Sequence, residues 1–356
     1  MPNTIIIGSG SYLPSKIIGR DFFMNSEFYS DEGEKLTKPN EEIIQKFVEI
    51  TEIENRRYVE DNQNNSDIAY EAAKEAIADA GVNQEEFDYV IFASNFGDVS
   101  AKGYTDFVPN MAARVKNKLG IKNRKCIAYD MIFGCPGWVE AMILADHFIK
   151  AGTAKLILVI GSETLSRTTD KYDRNSMIFA DGAGAVVVKA TEEEGVGIIA
   201  HNTICDNAIE LDYLINSPSV NKNADQDPIH ITMLGRKIYE YALTNVPAAI
   251  KETIDEAGLG IQDINKILIH QANAKMDYAM ISRLYKLYNV KDYDHAIAPM
   301  TIQEFGNSSV ATIPTMYDLM RKGKMENQTF TNDTNVVFAS VGAGMHINCI
   351  IYKFPK

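Results

Sequence analysis

The chain has 356 residues, of which 46% are hydrophobic and 23% charged, so it is long enough for two packed halves around a large core. Its net charge of -13 argues against binding to nucleic acid, because phosphates call for a basic protein face. Its apolar runs are strand-sized and its N-terminus lacks a signal-peptide pattern, so we expect no membrane span. The four cysteines show no close pairing, which indicates neither a disulfide framework nor a zinc site and favours the reducing cytoplasm.

The first third of the chain alternates strand-like and helix-like segments. A short buried strand is predicted at residues 5–8, and a helix capped by Ser66 is predicted at 67–80. A second buried strand follows at 88–94 and a second helix at 109–119. This alternation is typical of an α/β protein.

Cys135 lies where a strand-like run, 125–129, gives way to a helix-like run, 139–150. Pro136 suits a first helical position, so the helix should begin directly after the cysteine. The partial positive charge of a helix N-terminus favours the reactive thiolate, which makes Cys135 a candidate nucleophile. The alternative is that it is a small buried hydrophobe, which is how we interpret the other three cysteines.

Further strands are predicted at 155–163 and 181–188, the second of them entered through a glycine-rich turn. Buried strands that alternate with helices predict a largely parallel sheet with helices on both faces.

The second half of the sequence repeats the first. Residues 77–82 are echoed by 254–259, and 87–92 by 264–269, both at an offset of 177 residues. We therefore expect two copies of one α/β unit, with an N-terminal half at 1–190 and a C-terminal half at 191–356.

Symmetric packing of two such halves would bring equivalent strand and helix ends together, and with them Cys135, His270 and Asn307. His270 directly follows a buried strand, at the position where ligands of open α/β sheets bind. Taken singly, His270 could be a structural histidine and Asn307 only a helix N-cap. Their joint placement with Cys135 favours one catalytic site.

Several motifs, in order along nearly the whole chain, resemble β-ketoacyl-acyl-carrier-protein synthase III, a thiolase-fold condensing enzyme. They are the Cys135 segment, Asp181-Gly182-Ala183-Gly184-Ala185, His270-Gln271-Ala272-Asn273, Gly306-Asn307-Ser308-Ser309 and Gly342-Ala343-Gly344. The resemblance implies a five-layered αβαβα fold and a homodimer.

The resemblance also implies a catalytic triad of Cys135, His270 and Asn307. Cys135 would take up an acyl group from a thioester, with an oxyanion hole formed by the backbone N–H groups of Cys135 and of the turn that contains Ala343. His270 and Asn307 would assist decarboxylation of a malonyl thioester by hydrogen bonding to its carbonyl oxygen. The substrates would be thioesters of coenzyme A or of the phosphopantetheine on acyl-carrier protein, with no further cofactor and no metal.

Secondary assignments follow from the same resemblance. Arg174 matches a residue that contacts the adenine end of coenzyme A, with a structural ion-pair partner as the equal alternative. Val108 matches the residue that crosses the subunit boundary to shape the acyl pocket. Trp138, the only tryptophan, is also assigned to substrate binding. Lys275 and Arg236 are assigned to binding of the acidic carrier protein, against the alternative that each is simply a solvated surface charge.

The chain also departs from the family pattern. No tryptophan occurs near residues 40–57, where the family places one against adenine, and the polar stretches 21–40 and 202–232 resemble insertions. These departures favour a paralogue with a specialised pathway.

Four functions follow from these observations, with the decarboxylating Claisen condensation of a cysteine-bound acyl group with malonyl-acyl-carrier protein as the leading one. The alternatives are a condensation of two β-oxoacyl thioesters of the dialkylresorcinol-forming type, acyl transfer without decarboxylation, and a non-catalytic partner subunit. A metal hydrolase is disfavoured because the six histidines lack ligand spacing.

Overall fold

A computed structural model describes residues 1–355 as alternating strands and helices. The strands are β1 (Asn3–Tyr12), β2 (Lys16–Ile18), β3 (Arg56–Tyr58), β4 (Tyr89–Ser94), β5 (Asp98–Val99), β6 (Thr105–Asp106), β7 (Ile127–Ile132), β8 (Leu156–Thr164), β9 (Asp181–Thr191), β10 (Gly197–Cys205), β11 (Leu214–Ser217), β12 (His230–Met233), β13 (Lys266–Ile269), β14 (Asn335–Gly342) and β15 (His346–Lys353). The helices are α1 (Asn40–Thr51), α2 (Asn65–Ala80), α3 (Met111–Leu119), α4 (Gly137–Lys150), α5 (Gly235–Glu256), α6 (Ala274–Leu287), α7 (Ile302–Phe305) and α8 (Thr312–Arg321).

Two main sheets share one strand pattern. The first has the order β1-β9-β8-β4-β7, and the second has the order β10-β15-β14-β13. The parallel pairs are β4 with β7 and with β8 in the first sheet and β13 with β14 in the second, while β9 and β15 run antiparallel to their neighbours. The start of β4 at Tyr89 and of β13 at Lys266 reproduces the 177-residue offset. The predicted duplication is confirmed by this topology.

The helices complete five layers. Helices α2 and α3 pack with β4, β8 and β9 in one apolar cluster, and α5 and α6 pack with the second sheet in another. Between the sheets, α4 and α8 share a third cluster with strands of both. The five-layered αβαβα fold expected from the sequence is confirmed. The boundary at residue 190 stays a prediction, although the last strand of the first sheet ends at Thr191 and the second sheet begins at Gly197.

The ends of several elements differ from the sequence-based expectation. Helix α2 begins two residues early, because the Asp67 carboxylate accepts a hydrogen bond from the Asn64 backbone N–H at 2.8 Å and so makes Asn64 rather than Ser66 the cap. Gly81 ends the helix in the left-handed conformation, as predicted. Helix α4 begins at Gly137, with Pro136 as its cap.

The stretches 21–40 and 202–232 lie against the body of the protein and against each other. The backbone N–H of Tyr29 donates to the Tyr172 carbonyl at 2.9 Å, and that of Ile231 donates to the Thr168 carbonyl at 2.9 Å. The ammonium group of Lys222 in the second stretch donates to the Glu32 carbonyl in the first. The stretches therefore form one added wall on the 165–178 segment.

Helices long and apolar enough to cross a bilayer do not occur within residues 1–355.

Candidate active site

One cavity of about 810 Å³ is lined by the three residues predicted to form the catalytic site, Cys135, His270 and Asn307. Cys135 lies in the loop between β7 and α4, and His270 directly follows β13. Asn307 lies between α7 and α8. All three line the cavity, at the carboxyl ends of parallel strands or at the approach to a middle-layer helix. The convergence expected from the repeat therefore holds in the folded chain.

Among residues 1–355, the Cys135 sulfur has one side-chain hydrogen-bond partner, the hydroxyl of Ser309, which donates to it at 3.3 Å. Burial raises the pKa of the Cys135 thiol to about 11, while the Ser309 hydrogen bond acts in the opposite direction. The helix N-terminus was expected to favour the thiolate, so the structure reverses the net direction. Desolvation of the half-buried side chain in the cavity is the largest cause of this shift.

His270 is only 3% exposed, and its backbone N–H donates to the Ala339 carbonyl at 2.8 Å. Burial lowers the pKa of its imidazole to about 4, so the ring is neutral at neutral pH. Its Nδ1 atom is enclosed and has no hydrogen-bond partner among residues 1–355. The Nε2 atom is thus the nitrogen available on the cavity side.

The main chain and side chain of Asn307 are both held in place. Its backbone N–H donates to the Ile178 carbonyl at 3.0 Å, and its carbonyl accepts from the Ala180 N–H at 2.8 Å. The backbone N–H of Ser309 donates to the Asn307 side-chain oxygen at 2.8 Å. Since an N–H can meet only an acceptor, this bond fixes the amide orientation and leaves the Nδ2 donor for the cavity.

The 342–344 turn lies directly on the Cys135 loop. A Cβ atom on Gly342 would lie 2.7 Å from the Cys135 backbone nitrogen, and one on Gly134 would lie 2.7 Å from the Ala343 nitrogen. Gly342 lines the large cavity, whereas Ala343 lines an adjoining cavity of about 230 Å³. This contact brings two backbone segments beside the sulfur, and an oxyanion hole there stays a prediction.

The charged residues assigned to substrate or carrier binding lie at the surface. Arg174 is exposed and lines the cavity. Arg236 also lines it, and its guanidinium donates to the Glu240 carboxylate at 2.9 Å. Lys275 is exposed on α6 and is not among the lining residues.

Two apolar assignments lie outside the cavity. Val108 is 84% exposed on the surface of this single chain, just before Pro109. Trp138 is 1% exposed and packs edge-on against Phe338 in the middle layer. The prediction that Trp138 binds substrate is therefore wrong for this cavity, because α4 is enclosed between two sheets and turns that side chain into the apolar core.

Sequence reasoning missed three polar residues beside Cys135, namely Ser309, Asn95 and Glu163. Glu163 is fully buried near the end of β8, a strand whose residues are all buried. A carboxylate inside such an apolar run is unusual, and that signal was present in the sequence.

Metal-binding side chains do not cluster in this site. Among residues 1–355, no group of three or more His, Cys, Asp and Glu side chains could hold a metal ion.

Comparison with known proteins assigns this chain to a recognised family. The sequence profile described as 3-oxoacyl-[acyl-carrier-protein (ACP)] synthase III matches residues 129–207, and its C-terminal counterpart matches residues 254–354. Cys135 lies in the first matched segment, and His270 and Asn307 lie in the second.

Full-length relatives agree with the profile. The β-ketoacyl-[acyl-carrier-protein] synthase III of Ehrlichia canis is 33% identical over 97% of this chain and 97% of its own length. Synthase III 1 of Vibrio vulnificus is 34% identical over 90% of this chain and 92% of its own. The crystal structure of the Aquifex aeolicus 3-oxoacyl-[acyl-carrier-protein] synthase III superposes with a TM-score of 0.80, at 27% identity, over 99% of this chain and 100% of that one. This chain therefore belongs to the 3-oxoacyl-[acyl-carrier-protein] synthase III family of condensing enzymes.

Proposed function

We propose that this chain condenses a Cys135-bound acyl group with malonyl-acyl-carrier protein, releases carbon dioxide and forms a β-ketoacyl thioester. The observation that carries the proposal is the convergence of Cys135, His270 and Asn307 on one cavity in a member of this family.

In the first step, the Cys135 sulfur attacks the carbonyl carbon of an acyl thioester, and the carrier thiol leaves. The developing oxyanion would be met by the Cys135 N–H and by an N–H of the 342–344 turn, which packs on the cysteine loop. Preorganised backbone donors of this kind stabilise such charge without reorganising.

In the second step, the malonyl carboxylate leaves as carbon dioxide, and its electron pair passes onto the adjacent carbon and the thioester oxygen. Asn307 Nδ2–H is one donor available to that oxygen, and His270 Nε2 is the second in the tautomer that carries its hydrogen on that nitrogen. The lowered pKa keeps His270 neutral, so its hydrogen bond does not depend on an imidazolium. The carbanion attacks the acyl-cysteine carbonyl, a carbon–carbon bond forms, and the Cys135 thiolate is released.

The partners follow from the surface around the cavity. Exposed Arg174 and Arg236 at the cavity and Lys275 on α6 offer positive charge to an acidic carrier protein or a coenzyme A tail. The exposed Val108 fits a homodimer in which this residue reaches the partner subunit's acyl pocket. The cysteines within residues 1–355 are free thiols, which suits the reducing cytoplasm.

The test is intact-protein mass spectrometry on wild type and Cys135→Ala, mixed with acyl thioesters of increasing length on coenzyme A and on carrier protein. We expect an acyl adduct on wild type alone, discharged by malonyl-carrier protein with release of carbon dioxide. Absence of an adduct with every donor would refute the nucleophile assignment.

A second candidate is the condensation of two β-oxoacyl thioesters, which the apolar lining contributed by the added wall favours. Leu36, Leu214 and Ile231 of the added wall all line the cavity, as does the adjacent Met233. Such side chains suit a long alkyl chain better than a short polar malonyl group. Discharge of the acyl-enzyme by a β-oxoacyl thioester but not by malonyl-carrier protein would select this reaction.

A further inference from the structure

A chain of hydrogen bonds runs from the Cys135 sulfur to the buried carboxyl group of Glu163. The Ser309 hydroxyl donates to the sulfur at 3.3 Å, and Asn95 Nδ2 donates to the Ser309 oxygen at 3.1 Å. The same Nδ2 donates to Glu163 Oε1 at 2.6 Å, and the Asn95 backbone N–H donates to that oxygen at 2.5 Å. The first sheet and the loop before α8 thus meet at the nucleophile.

The direction of each bond in this chain is determined by the group at its far end. Glu163 Oε1 accepts two N–H groups, so the Asn95 amide must turn its NH₂ toward Glu163 and Ser309. The Ser309 oxygen then accepts from Asn95, and its single hydrogen is directed to the Cys135 sulfur, its only hydrogen-bond acceptor among residues 1–355. A donor aimed at sulfur stabilises the thiolate over the thiol.

The backbone of Ser309 supports a dedicated role. Its φ angle is +53°, in the left-handed region that non-glycine residues rarely adopt. The Asn307 side-chain oxygen holds its N–H at 2.8 Å, and Asn95 holds its hydroxyl. An unfavourable conformation that persists under such constraint commonly marks a functional position.

We propose that Glu163 and Asn95 are positioning residues that aim the Ser309 hydroxyl hydrogen at the Cys135 sulfur and thereby favour the nucleophilic thiolate. The inference deepens the proposed function, because it rests on Cys135 being the nucleophile. In this proposal, the Ser309 hydroxyl is the group that compensates for desolvation of the Cys135 sulfur before substrate binds.

The orientation does not require a charged Glu163. Both Asn95 bonds fall on Oε1, whereas Oε2 accepts from the Ser94 hydroxyl at 3.3 Å, and this one bond reverses when Oε2 carries a proton. The titratable group that faces Glu163 from β9 is Asp181, which in turn faces Arg167. A glutamine reproduces the protonated form, with its carbonyl oxygen toward Asn95 and its NH₂ toward Ser94, whose hydroxyl turns to accept from it.

The test is the rate at which iodoacetamide alkylates Cys135 in the full chain, followed across pH by peptide mass spectrometry. Exposed Cys205 in the same samples serves as the internal reference. We expect Ser309→Ala and Asn95→Ala to slow Cys135 alkylation about tenfold at each pH below the midpoint of the Cys135 titration. The reason is that a rise of one pKa unit lowers the thiolate fraction tenfold. Glu163→Leu should act in the same direction, and Glu163→Gln should restore the wild-type profile.

Ser308→Ala is the matched control, because it removes a neighbouring hydroxyl that lies outside this chain of bonds. Wild-type alkylation profiles in Ser309→Ala and Asn95→Ala would overturn the proposal. So would a Glu163→Gln profile that matches Glu163→Leu, because the carboxylate charge would then matter rather than the orientation. If Glu163→Leu does not fold, the Ser309 and Asn95 variants still decide the matter. Alkylation needs no thioester, so its outcome is separate from that of the condensation assay.

Discussion

Replacement of Gly342 by alanine tests whether the 342–344 turn positions the nucleophile. The new Cβ would lie 2.7 Å from both the Cys135 backbone nitrogen and Pro136 Cδ, whereas ordinary contact begins at 3.4 Å. One of the two segments must therefore move by about 0.7 Å. The backbone φ of Gly342 is −170°, which any residue adopts, so the expected displacement comes from the steric clash and not from backbone strain.

A displacement of this size at the reacting atoms is costly. Misplacement by about 1 Å can lower a rate by roughly 100-fold, so we expect Gly342→Ala to slow acylation of Cys135 by about 10- to 100-fold. The assay is the rate of acyl-enzyme formation by intact-protein mass under single-turnover conditions, with thermal unfolding measured in parallel.

Gly19→Ala is the matched control, because its nearest atom would be Asn55 Oδ1 at 3.4 Å. It should acylate at the wild-type rate. If Gly342→Ala also acylates at that rate, the contact between the turn and the cysteine loop does not position the sulfur, and the reasoning is refuted.

Three further predictions concern titration and charge. Burial lowers the pKa of His270 from 6.5 to about 4, so the free energy of unfolding should fall as pH drops through this range. His270→Gln should make this fall smaller, as measured by chemical denaturation at each pH. Burial raises the pKa of Glu163 from 4.5 to about 8, so the stability contributed by its buried protonated form is present below pH 4.5 and is lost as pH rises through 8. Glu163→Gln should reduce this loss of unfolding free energy in the same assay, and an unchanged dependence on pH would contradict the prediction. Lys275→Glu should raise KM for malonyl-carrier protein several-fold at low salt and leave KM for a coenzyme A thioester unchanged. An equal rise in KM for both substrates would argue against a role of Lys275 in docking the carrier protein.

The fold and the meeting of Cys135, His270 and Asn307 at one cavity could be predicted because they rest on local signals that repeat. Helix and strand patterns recur at one offset, and the residues that follow β13 and precede α4 occupy chain positions that depend only on that pattern. The second sheet still departs from the first, since β7 has no strand counterpart there. The corresponding residues form α7 and the turn that holds Asn307, and periodicity does not reveal this exchange.

The interactions around the sulfur could not be predicted for a different reason. Ser309, Asn95 and Glu163 come from three separate segments, and no spacing along the chain relates them. The raised pKa of Cys135 likewise depends on desolvation by residues distant in sequence, whereas the sequence showed only the nearby helix end. Trp138 follows the cysteine closely in sequence, yet the turn of α4 directs it into the core.

The two repeats depend on each other for stability because they share the middle layer. Helices α4 and α8, one from each copy, bury a common apolar surface with both sheets, and only the exposed loop 192–195 links the sheets along the chain. A protease that cut this loop would leave the two fragments held together, whereas either fragment alone would present the bare inner face of a sheet to water. Because each copy covers the inner face of the other, we expect the chain to unfold in a single cooperative transition.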